Sequence, residues 1–141
     1  MATTRTDQLA GFIALLKAEG RRAVLALDCG TGTDGLVFVR GGIHFTGVDA
    51  SEENIHAALA RGLSASVATG RALPFADAAF AAVWAVDALA GLPPGKWNDV
   101  VRELRRVVQP GSPVAVVLPE PGLAPEDPGL GPGFAVLRSP A

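Results

Sequence analysis

A mostly parallel α/β sheet is the fold class this chain predicts, and three observations predict it. Short, continuous apolar runs that suit strands buried on both faces recur along the chain, for instance at residues 23–27 and 114–118. Segments with helical spacing separate these runs. The first run leads into Gly30-Thr31-Gly32-Thr33-Asp34-Gly35, a glycine-rich junction between a strand and a helix. At 141 residues, 49% of them hydrophobic and 18% charged, the chain has the material for one core and is not a disordered chain. We read residues 1–141 as a single unit: an N-terminal helix within 1–22, a core over 23–118 and a Pro/Gly-rich segment over 119–141.

Taken in order, Leu9, Phe12, Ile13 and Leu16 share one helical face, with Thr6 or Asp7 as cap and Gly20 as stop. Residues 23–27 form the first strand. A short helix is expected over 34–40, closed by Gly41-Gly42, and a second strand over 43–48 ends at Asp49. Ser51 caps the next helix, where Glu52 and Glu53 favour the positive end of the helix dipole. Residues 66–68 read as a weak strand and 80–86 as a stronger one. Trp97, Val100, Val101, Leu104, Val107 and Val108 fall on one helical face that Gln109-Pro110-Gly111 ends, and residues 114–118 make a wholly apolar strand. Nine of the 15 residues from Pro119 to Gly133 are Pro or Gly, so no long helix forms there and a covering loop or loose tail is expected. Residues 134–137 suit one edge strand.

Charge and composition exclude several functions. Twelve Lys and Arg against 14 Asp and Glu give a net charge of −2, which implies no basic face for a nucleic-acid backbone. Cys29 is the single cysteine, so no internal disulfide forms, and with only His44 and His56 beside it no metal cluster is expected. A reducing cytoplasm is the expected compartment. No apolar stretch approaches the ~20 residues of a membrane span. Asp7 before residues 9–16, and Lys17 and Glu19 after them, argue against a signal peptide.

The glycine turn carries the chemistry. Gly30, Gly32 and Gly35 let backbone approach a ligand, the helix start offers free N–H groups, and Asp49, 17 residues past Gly32, closes the next strand with a carboxylate able to accept two ribose hydroxyls. A nicotinamide dinucleotide domain shares this fingerprint, but 141 residues leave no room for the substrate domain of a dehydrogenase. Empty glycines in a tight turn are the bland alternative.

From about Val24 to Leu118 the sequence resembles the class I S-adenosylmethionine-dependent methyltransferases that act on small molecules. Four segments carry the resemblance in order: Val24-Leu25 through Cys29-Gly30-Thr31-Gly32; Thr46-Gly47-Val48-Asp49-Ala50-Ser51; Ala72-Leu73-Pro74-Phe75-Ala76-Asp77 with Phe80; and Glu103-Leu104 with Arg106-Val107-Val108 and Pro110-Gly111. The resemblance implies a Rossmann-like, doubly wound sheet that holds S-adenosylmethionine across its first, second and fourth strands. It implies cofactor contacts at Asp28, Gly30, Gly32 and Asp49, with Ala50, Thr69, Gly70 and Ala85 lining the adenosine. A methyl group would pass to a small-molecule acceptor by in-line displacement, chemistry that rests mainly on alignment. A non-catalytic relative, kept as a binding or interaction module, is the alternative.

Some positions depart from the family. In the register on Cys29-Gly30-Thr31-Gly32, the usual acid is Ala26 and the first glycine is Asp28; a shifted register makes Asp28 the acid and puts Asp34 in place of the third glycine. We prefer the first. Residues 26 and 28 of a strand face one side about 6.6 Å apart, which would let Asp28 take over part of the lost carboxylate's work near the methionine amine. Thr69 stands where an Asp reaches the adenine, Ala81 where an Asp follows Phe80, and Ala90 and Gly91 where a His pair is common. Asp87, at the end of the fourth strand, either orients a substrate or acts as a base, or else caps the following turn. Trp84 and Trp97 read as core, Cys29 as a small hydrophobe, and His44 and His56 as strand and helix-face residues. Arg102, Arg105 and Arg106 read as a solvated helix side. Family members usually continue past the fifth strand with a helix and two strands, so the fold is expected to be C-terminally shortened, with a homodimer or a partner protein covering the open edge and completing the site.

Overall fold

The computed structural model describes residues 4–89, 92–117 and 134–140. The expectations for 118–133, and those for Ala90 and Gly91, lie outside the described residues. The elements are α1 (Arg5–Ala18), β1 (Ala23–Leu27), α2 (Thr33–Arg40), β2 (His44–Asp49), α3 (Glu52–Ala60), β3 (Ser64–Val67), β4 (Val83–Ala85), a 3₁₀ turn (Pro94–Lys96), α4 (Trp97–Val107), β5 (Pro113–Val117) and β6 (Phe134–Arg138). The strands form one sheet in the order β3-β2-β1-β4-β5-β6. All pairs are parallel except β5–β6, which runs antiparallel with Val117 opposite Phe134.

Side-chain alternation along β1 divides the core. Val24 and Ala26 face the α1 side with Phe12, Leu16, Phe38 and Trp84. Leu25 and Leu27 face the α4 side with Val100, Leu104 and Val107. Helices thus cover both faces, and each fully buried Leu or Phe contributes about 1.5–3 kcal/mol. Trp84, 2% exposed, packs edge-on or tilted against Phe12, Phe38 and Phe134, so the core assignment for it is correct.

Several boundaries differ from expectation. The cap of α1 is Thr4 rather than Thr6 or Asp7: the Thr4 Oγ1 accepts the Asp7 N–H while the Asp7 carboxylate accepts the Thr4 N–H, a reciprocal box. β3 lies two residues earlier than expected at its start, because it pairs only with β2 and its exposed side chains leave no alternating signal. β4 is shorter than 80–86: Phe80 bridges to Val108, at the end of α4, instead of joining β1. β6 exists, and reaches Arg138.

The Glu103 and Arg106 pair fixes the segment before β4. Glu103 Oε1 accepts the Leu73 N–H at 2.8 Å, and Arg106 donates to the carbonyls of Leu73 at 2.9 Å and Phe75 at 2.7 Å and to Asp77 at 3.0 Å. Arg106 therefore does not belong to the solvated side of its helix. Arg102 and Arg105 do.

Candidate functional site

Strand order reverses between β1 and β4, and ligands of open α/β sheets bind beyond the carboxyl ends of the strands at such a reversal. Three segments meet there: the turn after β1, the junction of β2 with α3, and the turn after β4.

Asp49 organises the first two. It ends β2 and is 9% exposed. Its Oδ2 accepts the Gly30 N–H at 2.9 Å, and its Oδ1 accepts the Ser51 N–H at 2.9 Å and Asn54 Nδ2 at 3.3 Å. One Oδ2 lone pair stays open to a ligand hydroxyl. Gly32 begins α2 with φ +94°, and a Cβ on it would lie 2.3 Å from Leu63 Cδ1, so only glycine fits. No side chain caps α2, which leaves its first-turn N–H groups for a ligand. A Cβ on Gly35 would meet the Phe45 ring at 2.8 Å; its absence lets α2 lie close on β2.

Asp28 differs from its expected placement. β1 ends at Leu27, and Asp28 turns out of the strand with φ +51°, so it shares no extended face with Ala26. That left-handed backbone suits glycine, which supports the register that puts Asp28 in a glycine's place. Burial, then the nearby charges of Asp49 and Asp87, push its carboxyl up to about 6. Cys29, next along, has its thiol pushed up to about 11 by burial, and packs as the small hydrophobe expected.

Asp87 follows β4 and is exposed. Its carboxylate accepts two bonds from Arg5, at 2.8 and 3.4 Å, rather than capping the turn. The same guanidinium reaches Asp34 through Nε at 3.1 Å, and Asp34 also accepts the Trp84 indole N–H at 3.0 Å. Arg5 thus ties the first turn of α1 to α2 and to the end of β4. It was not singled out from sequence, because nothing local points to partners 29 and 82 positions away.

The remaining expected contacts divide. Ala50 and Thr69 are exposed at this edge and Gly70 is half-buried, where a Cβ would touch Leu27 and Val100. Ala85 is fully buried and faces the α4 side. A cavity of about 220 Å³ opens on that side, between α4, β5 and β6. His44, at the start of β2, and His56, on α3, are exposed.

A glycine turn, a helix start and an acidic β2 terminus, set on this strand order, make up a Rossmann-like site of the kind that takes adenosine-containing ligands. Residues 24–111 match the family model described as a methyltransferase domain, and the chain belongs to the class I S-adenosylmethionine-dependent methyltransferases. The match assigns the glycine turn to that family rather than to a nicotinamide domain. The chain is 33% identical over 125 residues to 27-O-demethylrifamycin SV methyltransferase of Amycolatopsis mediterranei, covering 82% of this chain and 44% of that protein. The PH0226 protein of Pyrococcus horikoshii OT3 superposes with a TM-score of 0.66 at 30% identity, over 73% of this chain and 52% of that one. CalS10, a SAM-bound amino pentose methyltransferase from Micromonospora echinaspora, superposes at 0.70 over 78% of this chain and 49% of its own; at 20% identity it shows the fold alone. The chain spans about half the length of these relatives. Among the described residues, no helix is long and apolar enough to cross a membrane.

Proposed function

We propose that the chain binds S-adenosylmethionine beyond the carboxyl ends of β1, β2 and β4 and serves methyl transfer to a small-molecule acceptor. The observation that carries this reading is Asp49: a buried carboxylate, held by three donors, with acceptor capacity left beside an uncapped helix start. When bound, the cofactor supplies a methyl group activated on a sulfonium. The chain's own part is to bind and orient. Asp49 accepts a ribose hydroxyl at its open Oδ2 position, the backbone of Gly30 and Gly32 makes room for the amino-acid end, and Asp28 adds negative charge there. Ala50, Thr69 and Gly70 line the adenosine, while Ala85, with no exposed surface, stays in the core on the α4 side. Asp87, oriented by Arg5, faces the acceptor as a hydrogen-bond or proton acceptor. A small-molecule acceptor is supported by the likeness to 27-O-demethylrifamycin SV methyltransferase.

We assign the domain to residues 1–141 and the cytoplasm, the latter on the single cysteine. A homodimer or partner protein over β6 belongs to the same proposal, supported by the exposure of Val136 and Leu137 on that strand. Light scattering tests the homodimer.

Thermal melting with S-adenosylmethionine, S-adenosylhomocysteine and NAD tests the cofactor. A ligand at 100 times its Kd adds about 2.7 kcal/mol to stability. The first two should raise the melting temperature and NAD should not. A rise with NAD alone, or with none of the three, contradicts the reading.

A further inference from the structure

Four carboxylates gather at the carboxyl edge of the sheet, and their partners are unequal. Asp49 accepts N–H groups of Gly30, Ser51 and Asn54. Asp34 accepts the Trp84 indole and Arg5, and Asp87 accepts Arg5. Asp28 receives no hydrogen bond from the described residues, although the next two residues tie its turn to the end of β2: Cys29 donates to the Val48 carbonyl at 3.0 Å and Gly30 to Asp49 at 2.9 Å. Among the described residues Arg5 is the one cation bonded to this group, so one positive charge faces four carboxylates, Asp28 among them. No metal offers an explanation: among the described residues no three His, Cys, Asp or Glu side chains are placed to hold one. Backbone preference does not call for it either, since glycine adopts φ +51° with less strain than Asp.

We infer that Asp28 is a specificity-determining residue: it makes the site prefer the cationic donor S-adenosylmethionine to its uncharged-sulfur product, S-adenosylhomocysteine, and Arg5 limits that preference. The inference rests on the reading of Asp49 as the ribose acceptor. The sulfonium is bonded to the carbon next to the ribose ring, so a ribose held at Asp49 brings that positive charge to the edge where Asp28 lies. Methyl transfer removes the charge, because the sulfur keeps the electron pair of the broken S–CH₃ bond and becomes a thioether. The product then loses its attraction to Asp28. A unit charge at roughly 6–8 Å, in a half-solvated site, changes affinity by about fivefold to tenfold.

Calorimetric titration of the full chain with each of the two ligands tests this at neutral pH. The wild-type chain should bind S-adenosylmethionine more tightly than S-adenosylhomocysteine. Asp28→Asn keeps the shape and tolerates the left-handed backbone; it should lower the ratio of the two affinities about fivefold or more by weakening the sulfonium ligand. Asp28→Gly should do the same, and stands in if the Asn variant does not fold. Arg5→Gln should move the ratio the other way, which loss of a structural contact does not do. Two bound ligands with an unchanged ratio in the Asp28 variants overturn the inference and leave the cofactor reading intact. Absence of binding by either ligand to the wild-type chain removes both.

Discussion

The two edges of the sheet hold similar side chains in opposite company. Where the strands begin, Glu19 lies between Arg138 of β6 and Arg21, and their hydrogen bonds hold its carboxyl down at about 2. Arg21 goes on to the Ala81 carbonyl at 3.2 Å and the Ser112 hydroxyl at 3.0 Å, so one network ties the end of α1 to the starts of β4 and β5 and the end of β6. Where the strands end, Asp28 lies beside Asp49 and Asp87, and its carboxyl is pushed up to about 6. The first edge answers each of these charges with a counter-charge and relaxes. The second keeps an uncompensated carboxylate on a left-handed backbone, and strain and charge of that kind cluster at functional sites.

The sharpest way to break this contrast is to relax the second edge. Asp28→Gly should stabilise the free chain by about 1 kcal/mol at pH 7, through relief of the backbone. Urea unfolding measures it, and a loss of stability would mean that Asp28 supports the turn. Glu19→Gln should destabilise the chain at the same pH.

Acid–base behaviour should also separate the edges. Asp28 keeps its proton in the folded chain up to about 6, whereas its unperturbed value is 3.8. The folded state then holds more protons than the unfolded state across that interval, so this contribution is greatest below about pH 4 and is lost as pH rises to about 6. Glu19 has the opposite sign: its contribution is present above 4.5 and is lost as pH falls through about 2. Asp28→Asn should flatten the stability profile between pH 4 and 6 and Glu19→Gln should flatten it below 4.5, in urea unfolding at stepped pH. A slope unchanged in both variants contradicts the contrast.

The smallest expected effect is a control. Ala78 also has a left-handed backbone, φ +52°, without a charge. Ala78→Gly should gain about 0.5 kcal/mol at any pH. Asp28→Gly should exceed it at pH 7 and converge on it below about pH 3, where Asp28 is neutral in both states.

How much of this was legible depended on how local the cause is. β1, α2 and α3 follow from adjacent residues: five apolar side chains in a row, a glycine turn, Ser51 ahead of Glu52 and Glu53. The edge proposed for the cofactor was read from Gly30, Gly32 and Asp49, whose spacing is itself the signal. Thr4 was missed as a cap because Thr6 and Asp7 offered equally good chemistry, and only the packing of Leu9 and Phe12 sets where the helix enters. β3 carries few buried side chains and so no period. Arg106 looked solvated because its acceptors are backbone carbonyls some 30 positions back, and Arg5 looked unremarked for a similar reason. Hydrogen bonds between distant segments leave no pattern in the intervening sequence.

The central claim is that Asp49 holds the ribose of an S-adenosyl ligand, and calorimetric titration of S-adenosylhomocysteine into the wild-type chain and Asp49→Ala tests it most directly. The account predicts one ligand per chain for the wild type and a loss of at least about 1.5 kcal/mol, more than tenfold in affinity, for the variant. Circular dichroism confirms that both chains are folded. Unchanged affinity in a folded Asp49→Ala chain would contradict the account.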